Sequence, residues 1–195
     1  MRVALDKPEK MNITDPDGKV CVGGSQRWYK SFWRRMSGCG PVAAANLIWY
    51  KLATHGIRSQ YIELMERMFT YVTPGIHGVN TSAIFTEGIM RYSADMKMQY
   101  SAEVLEIPKN KSSRPGIGTA CGFITAALQA DSPLAFLNLS SGSVKSIDSW
   151  HWVTITAFDA DTMHTEICDY GKQTSADISE WMETSKLGGA LVYLL

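Results

Sequence analysis

The run CGPVAAANLIWYKLA (39–53) limits the possible folds more than any other stretch of the chain. Taken as a helix it is apolar on nearly every side, with Pro41 suited to a first turn, Ser37 available as a cap and Gly56 just past the end. Such a helix has no face to offer water, which predicts a central position with other elements packed around it. Two more helices follow. One, over about 58–71, lines up Ile62, Met65, Met68 and Phe69; the next, over about 81–92, starts after Asn80 or Thr81 and carries Ile84, Phe85, Ile89 and Met90. The methionines recur at helical spacing and read as core filling.

The second half changes character. Residues 96–107 have strand composition, a Lys/Ser/Pro/Gly loop covers 108–118, and 119–130 reads as a short helix. Strand composition returns at 133–139, 151–158, 164–169 and 190–195. Asp177 followed by Glu180 predicts a capped short helix through Trp181. Helices first and an antiparallel sheet later define the α+β class. No repeat or clean linker divides the 195 residues, a length that suits one domain with a substantial core. The expected organisation is an N-terminal arm and loop (1–36), a mainly helical half (37–131) and an antiparallel sheet half (132–195).

Nineteen Lys plus Arg balance nineteen Asp plus Glu, so the chain lacks the positive field of a nucleic-acid binder. No apolar run approaches the roughly 18 residues that span a bilayer, and a membrane partner is not expected. The opening residues MRVALDKPEK hold no apolar leader core, which predicts a cytoplasmic protein or one whose leader has been removed. Cys21, Cys39, Cys121 and Cys168 include no C-x-x-C pair, so neither a structural zinc nor a dithiol redox motif is expected. For Cys21, Cys121 and Cys168 the expectation is structural; Cys121 shares a helix with Phe123, Ile124 and Leu128, a core environment.

Cys39 is different. It stands at the predicted start of the central helix, where free backbone N–H groups and the macrodipole favour an anionic sulfur, the reactive form of a thiol. Gly38 and Gly40 flank it, which leaves room for a carbonyl to approach, and the Cys39 N–H can donate to a developing oxyanion. A thiolate also needs a proton acceptor. His151 opens the strand HWVTITAF, in line with Val153, Ile155 and Ala157. The polar stretch FDADTM (158–163) predicts a hairpin between this strand and 164–170, with Asp159 and Asp161 as turn formers. Pairing Phe158 with Thr162 or Met163 sets His151 opposite Asp169 or Tyr170, which brings a carboxylate beside the candidate base. An Asp there orients the imidazole and stabilises its protonated form.

The blocks SGCGPVAAAN (37–46), HWVTITAFD (151–159) and ICDYG (167–171) resemble, in order, the Cys, His and Asp blocks of the papain-like cysteine peptidases. The nearest likeness is to the bacterial branch that includes the bacteriocin-leader-processing peptidases. The resemblance implies a papain-like fold, with a helix-borne cysteine packed against an antiparallel sheet carrying His and Asp. It implies Cys39 as nucleophile, His151 as general base and then acid, and Asp169 as the orienting residue of a thioester mechanism. It implies a peptide or other amide substrate, with no cofactor and no metal. The family usually has a Gln about six residues before the cysteine to complete the oxyanion hole; here Trp33 holds that place. Gln26, thirteen residues upstream, fills the role if the segment between them loops out.

Other placements carry weaker implications. His77, between glycines in 74–79, is a candidate cleft residue, and His55 reads as a cation at a helix end. The aromatic and basic segment 27–35 is expected to border the cleft and, through Arg34 and Arg35, to favour an anionic or aromatic group there. Acyl transfer on the same scaffold, a catalytically silent peptide-binding domain, and a metal site through Cys39, His151 and Asp169 are the competing readings. The glycine-flanked cysteine at a helix start favours nucleophilic chemistry over the metal.

Overall fold

The computed structural model describes residues 1–52 and 56–195. Ala53, the expected end of the central helix, and His55 lie outside the described residues. In chain order the elements are β1 (Arg2–Ala4), β2 (Asn12–Thr14), β3 (Val20–Val22), α1 (Phe32–Ser37), α2 (Cys39–Leu52), β4 (Gly56–Ile57), α3 (Arg58–Tyr71), α4 (Ser82–Asp95) and β5 (Ala102–Ile107). There follow α5 (Ile117–Gln129), β6 (Leu134–Asn138), β7 (His151–Asp159), β8 (His164–Asp169), β9 (Lys172–Asp177), α6 (Ile178–Thr184) and β10 (Gly189–Leu194). The class is α+β, with helices against a mostly antiparallel sheet. No helix among the described residues is long and apolar enough to cross a membrane.

Strand alternation explains why α2 ends in the middle. The main sheet runs β5-β10-β6-β7-β8-β9, and β1 pairs with the far end of β7. Along β6, Ala135 and Leu137 join one buried cluster while Leu134 and Phe136 join a second; along β10, Ala190, Val192 and Leu194 separate in the same way from Leu191 and Tyr193. Both faces of the sheet are therefore covered, one chiefly by α2, α3 and α4 and the other by α5 and α6. Helix α2 is buried without interruption from Cys39 to Tyr50. Its small residues Ala43, Ala44 and Ala45 let the backbone approach the sheet closely, where larger side chains would overpack it.

Three expectations change. The polar residues 1–24, punctuated by Pro and Gly and expected as an irregular arm, instead supply β1 to the main sheet and β2 and β3 to a second small sheet with β4, and the aromatic and basic segment, expected as a loop, contains α1. Strands of three residues are too short to show a period. The strand β9 is new, and its burial explains why: Lys172–Ser175 are exposed on the sheet edge, so KQTSAD carries no apolar alternation. On α3 the stripe is shifted, with Tyr61 and Leu64 buried beside Met65, Met68 and Phe69, while Ile62 is half-buried. Thr81 caps α4 by accepting from the Ile84 amide, and Asp177 caps α6 by accepting from Ser179 and Glu180, as their sequences predict.

Candidate active site

Cys39 is the first residue of α2 and His151 the first of β7, so the candidate site forms where the ends of two elements meet. Gly38 separates α1 from α2, and its carbonyl accepts from the Val42 amide at 3.0 Å. Gly38 therefore occupies the boundary expected for Ser37, which instead ends α1 and donates its hydroxyl to the Trp33 carbonyl at 2.9 Å. The flanking glycines are needed for packing more than for access. A Cβ on Gly38 would collide with the Arg34 carbonyl and the Tyr29 ring, and one on Gly40 would come within 2.7 Å of Val79. The start of α2 is held tightly on both sides.

The hairpin brings the carboxylate to the imidazole by a route different from simple turn counting. Asp159 pairs with His164, and a bulge between Ile155 and Ala157 shifts the register so that Thr154 faces Cys168. Continued one step, this sets Asp169 against Val153, a diagonal neighbour of His151 and within side-chain reach. The gap closes: His151 Nε2 lies 2.8 Å from Asp169 Oδ1. Asp169 pairs with Lys172 across a two-residue turn whose central residues Tyr170 and Gly171 both have left-handed backbone, φ 48° and 75°. That is the primed hairpin geometry, which Gly adopts freely and Tyr rarely does. It sets the Tyr170 ring in a stack on the His151 imidazole, with centroids 5.2 Å apart.

Electrostatics at this junction favour a charged imidazole. The side chains of His151 and Asp169 are 6% and 14% exposed. Burial works against the imidazolium, but hydrogen bonds with Asp169 and Cys39, and the charges of both, prevail and raise the His151 pKa to about 10. Nε2 is engaged by Asp169, which leaves Nδ1 as the uncommitted ring nitrogen in the recess that Cys39 also lines. The other thiols are all free, and burial pushes those of Cys21, Cys121 and Cys168 upward, the last to about 12. Cys121 is half-buried, less enclosed than its apolar neighbours suggested.

Gln26 begins a 3-10 turn capped by Ser25 and lines the same recess as Cys39, His151 and Asp169. The thirteen-residue gap is taken up by α1. The Gln26 Nε2 donates to the Arg35 carbonyl at 2.8 Å, while its buried Oε1 has no partner among the described residues. Trp33 does not reach this recess. It lines a neighbouring apolar cleft with Met36, His77, Leu137 and Trp150, as His77 was expected to do. A second cleft shares Met36, Cys39 and Trp150 with the first and is lined also by Gln26, Arg27, Arg35, Asp148, His151 and Tyr170. Arg34 is turned away, ion-paired with Glu66 and lying 4.6 Å over the Phe69 ring.

Two supporting residues escape a reading of motifs. Tyr170 covers one face of His151, and no periodicity marks a turn residue for that task. Asn46, two helical turns beyond Cys39, accepts from the Gly24 amide at 2.9 Å and the Tyr61 hydroxyl at 2.6 Å, and donates to Thr154 Oγ1 at 2.9 Å. It thereby ties α2 to α3, to β7 and to the strand leading into Gln26. The Asp169 hairpin is tied to that strand too, through Gly171 N–H to the Gly24 carbonyl (2.9 Å) and Val22 N–H to the Gly171 carbonyl (3.1 Å). A polar residue inside an all-buried helix was the one available signal. No family model matches the chain, and no curated protein matches it.

Proposed function

We propose that this chain is a cysteine peptidase or related amide hydrolase of papain-like architecture, with Cys39, His151 and Asp169 as its triad. The observation that carries the reading is the convergence in one recess of a helix-start thiol, an imidazole and a carboxylate 2.8 Å from that imidazole. Nucleophile, base and orienting group are the three parts acyl transfer requires.

In this mechanism the Cys39 proton resides on His151. The sulfur attacks the carbonyl carbon, and the C=O π electrons move onto oxygen. The oxyanion is met by the Cys39 N–H and by the Gln26 Nε2 hydrogen not spent on Arg35. Collapse of the intermediate breaks the C–N bond as His151 gives its proton to the leaving nitrogen, producing a thioester. Water then loses a proton to His151, attacks the thioester carbonyl and releases the acid and the thiol; an amine in place of water gives transfer.

Labelling of the native protein with iodoacetamide at pH 7 tests the pairing. Cys39 is expected to react at least about tenfold faster than Cys21, Cys121 and Cys168, since the thiolate is the reactive form. Replacing His151 with Ala should remove that advantage. Equal rates at the four thiols would overturn the hydrolase reading.

A further inference from the structure

The two clefts that meet at Cys39 differ in chemistry, and His151 lines only one of them. On the mechanism proposed above, on which this inference rests, His151 must protonate the leaving nitrogen. The leaving half of the substrate therefore lies in the cleft that contains His151, and the acyl half lies toward Trp33, His77 and Leu137. The His151 cleft has a volume of about 770 Å³ with its open mouth included, room for a residue or more of peptide.

Its walls carry two guanidiniums against one free carboxylate. Arg27 lies over the Tyr170 ring, 4.4 Å from guanidinium carbon to centroid, and its guanidinium N–H groups have no protein partner among the described residues. Arg35 uses one nitrogen to donate to the carbonyls of Tyr29 (3.2 Å) and Lys30 (2.9 Å), leaving the rest of its fork unspent. Neither forms an ion pair among the described residues, unlike Arg34 with Glu66. Asp148 is the opposing carboxylate, 3.4 Å from the Tyr170 hydroxyl, and Asp169 is already committed to His151. Exposed guanidinium edges held by stacking and by backbone carbonyls are preorganised to take a carboxylate in paired hydrogen bonds.

We propose that Arg27 and Arg35 select substrates with a carboxylate in the leaving half, from either an acidic side chain or a free C-terminus. Four fluorescent peptides with one apolar acyl half separate the sources: aspartates with an amidated terminus, a neutral half with a free carboxylate, a neutral amidated half, and lysines with an amidated terminus. One or both anionic peptides should exceed the neutral one by about tenfold in kcat/KM, mostly through KM, a gap that shrinks in 0.5 M salt. Arg27→Gln with Arg35→Gln should close the gap, and the Lys replacements, which keep the charge, should retain part of it. Equal turnover of the four peptides, or preference for lysine, overturns the proposal. A second readout needs no substrate: the ratio of iodoacetate to iodoacetamide alkylation rates at Cys39 should fall severalfold in the double Gln variant, and an unchanged ratio also overturns it. The hydrolase reading fails separately, by the absolute labelling rate of Cys39 relative to the other thiols.

Discussion

Cys39 and Cys168 line the same recess and are both buried, 8% and 2% exposed, yet their surroundings differ, and on the proposed function only Cys39 does chemistry. Cys168 lies near the end of β8 against Gly23, and burial pushes its thiol to about 12. Cys39 lies at the first residue of a helix with an imidazole against it. Burial alone keeps a thiol protonated and unreactive; the proposed function needs a thiol with an imidazole beside it at an element end. The comparison separates a rim, where α2 and β7 begin, from a floor at Asn46, two turns further into α2.

The strongest way to break that contrast is to remove each sulfur in turn. In the proposed triad Cys39→Ala should lower kcat by at least about 1,000-fold, since no other group supplies the nucleophile. Cys168→Ala should change turnover by less than about threefold and cost about 1 kcal/mol of stability from the lost packing. Steady-state kinetics and urea unfolding of the two variants check both halves. Comparable activity losses would erase the distinction between rim and floor.

The next effect lies with the carboxylate. Because the His151 pKa is raised to about 10, its proton is kept through neutral pH and lost above it. Activity should therefore fall on the alkaline side near that value. Asp169→Asn removes a contribution that holds the proton, so kcat should drop about 10- to 100-fold and the alkaline limb should move down by about one pH unit or more. The same shift has a stability consequence. A histidine raised above its ordinary value of 6.5 stabilises the fold fully below that pH, and the contribution is lost as the pH climbs through about 10. Urea midpoints between pH 6.5 and 10 should decline in the native protein and decline less in Asp169→Asn. A pH–rate profile unchanged by the substitution would detach Asp169 from the imidazole.

Rim and floor were not equally legible. The rim is signalled locally: a glycine-flanked Cys before an apolar helix, and a His opening an apolar strand. Its third member was found through a hairpin whose register differs by a bulge, since a bulge in an otherwise apolar strand has no marker in HWVTITAF. The extent of the helix over 58–71 is legible because apolar residues recur at helical spacing, although its buried stripe is shifted to include Tyr61 and Leu64, whereas β9 is hidden by its exposed edge. Arg34 and Arg35 are indistinguishable as neighbours in sequence. Only the fold, which brings Glu66 and Phe69 under one and the cleft under the other, decides which guanidinium stays free; Arg27 joins it because the Asp169 turn puts Tyr170 beneath it. Asn46 is equally silent, since its partners Gly24, Tyr61 and Thr154 come from three distant segments.

Asn46 gives the sharpest test of what the floor does. Its side chain satisfies a buried amide, a tyrosine hydroxyl and a threonine at once. Tyr61 retains the Val42 carbonyl at 3.3 Å when the Asn is removed, but the Gly24 N–H has no such substitute. Asn46→Ala therefore strands one buried donor and opens a small void, and should cost about 3 kcal/mol in urea unfolding. Turnover by the fraction that remains folded should fall only a few-fold, because His151, Asp169 and the start of α2 keep their own contacts. A loss of activity as large as that of Asp169→Asn at unchanged stability would mean that Asn46 acts on the rim, through the strand that carries Gln26, and that the floor is part of the chemistry.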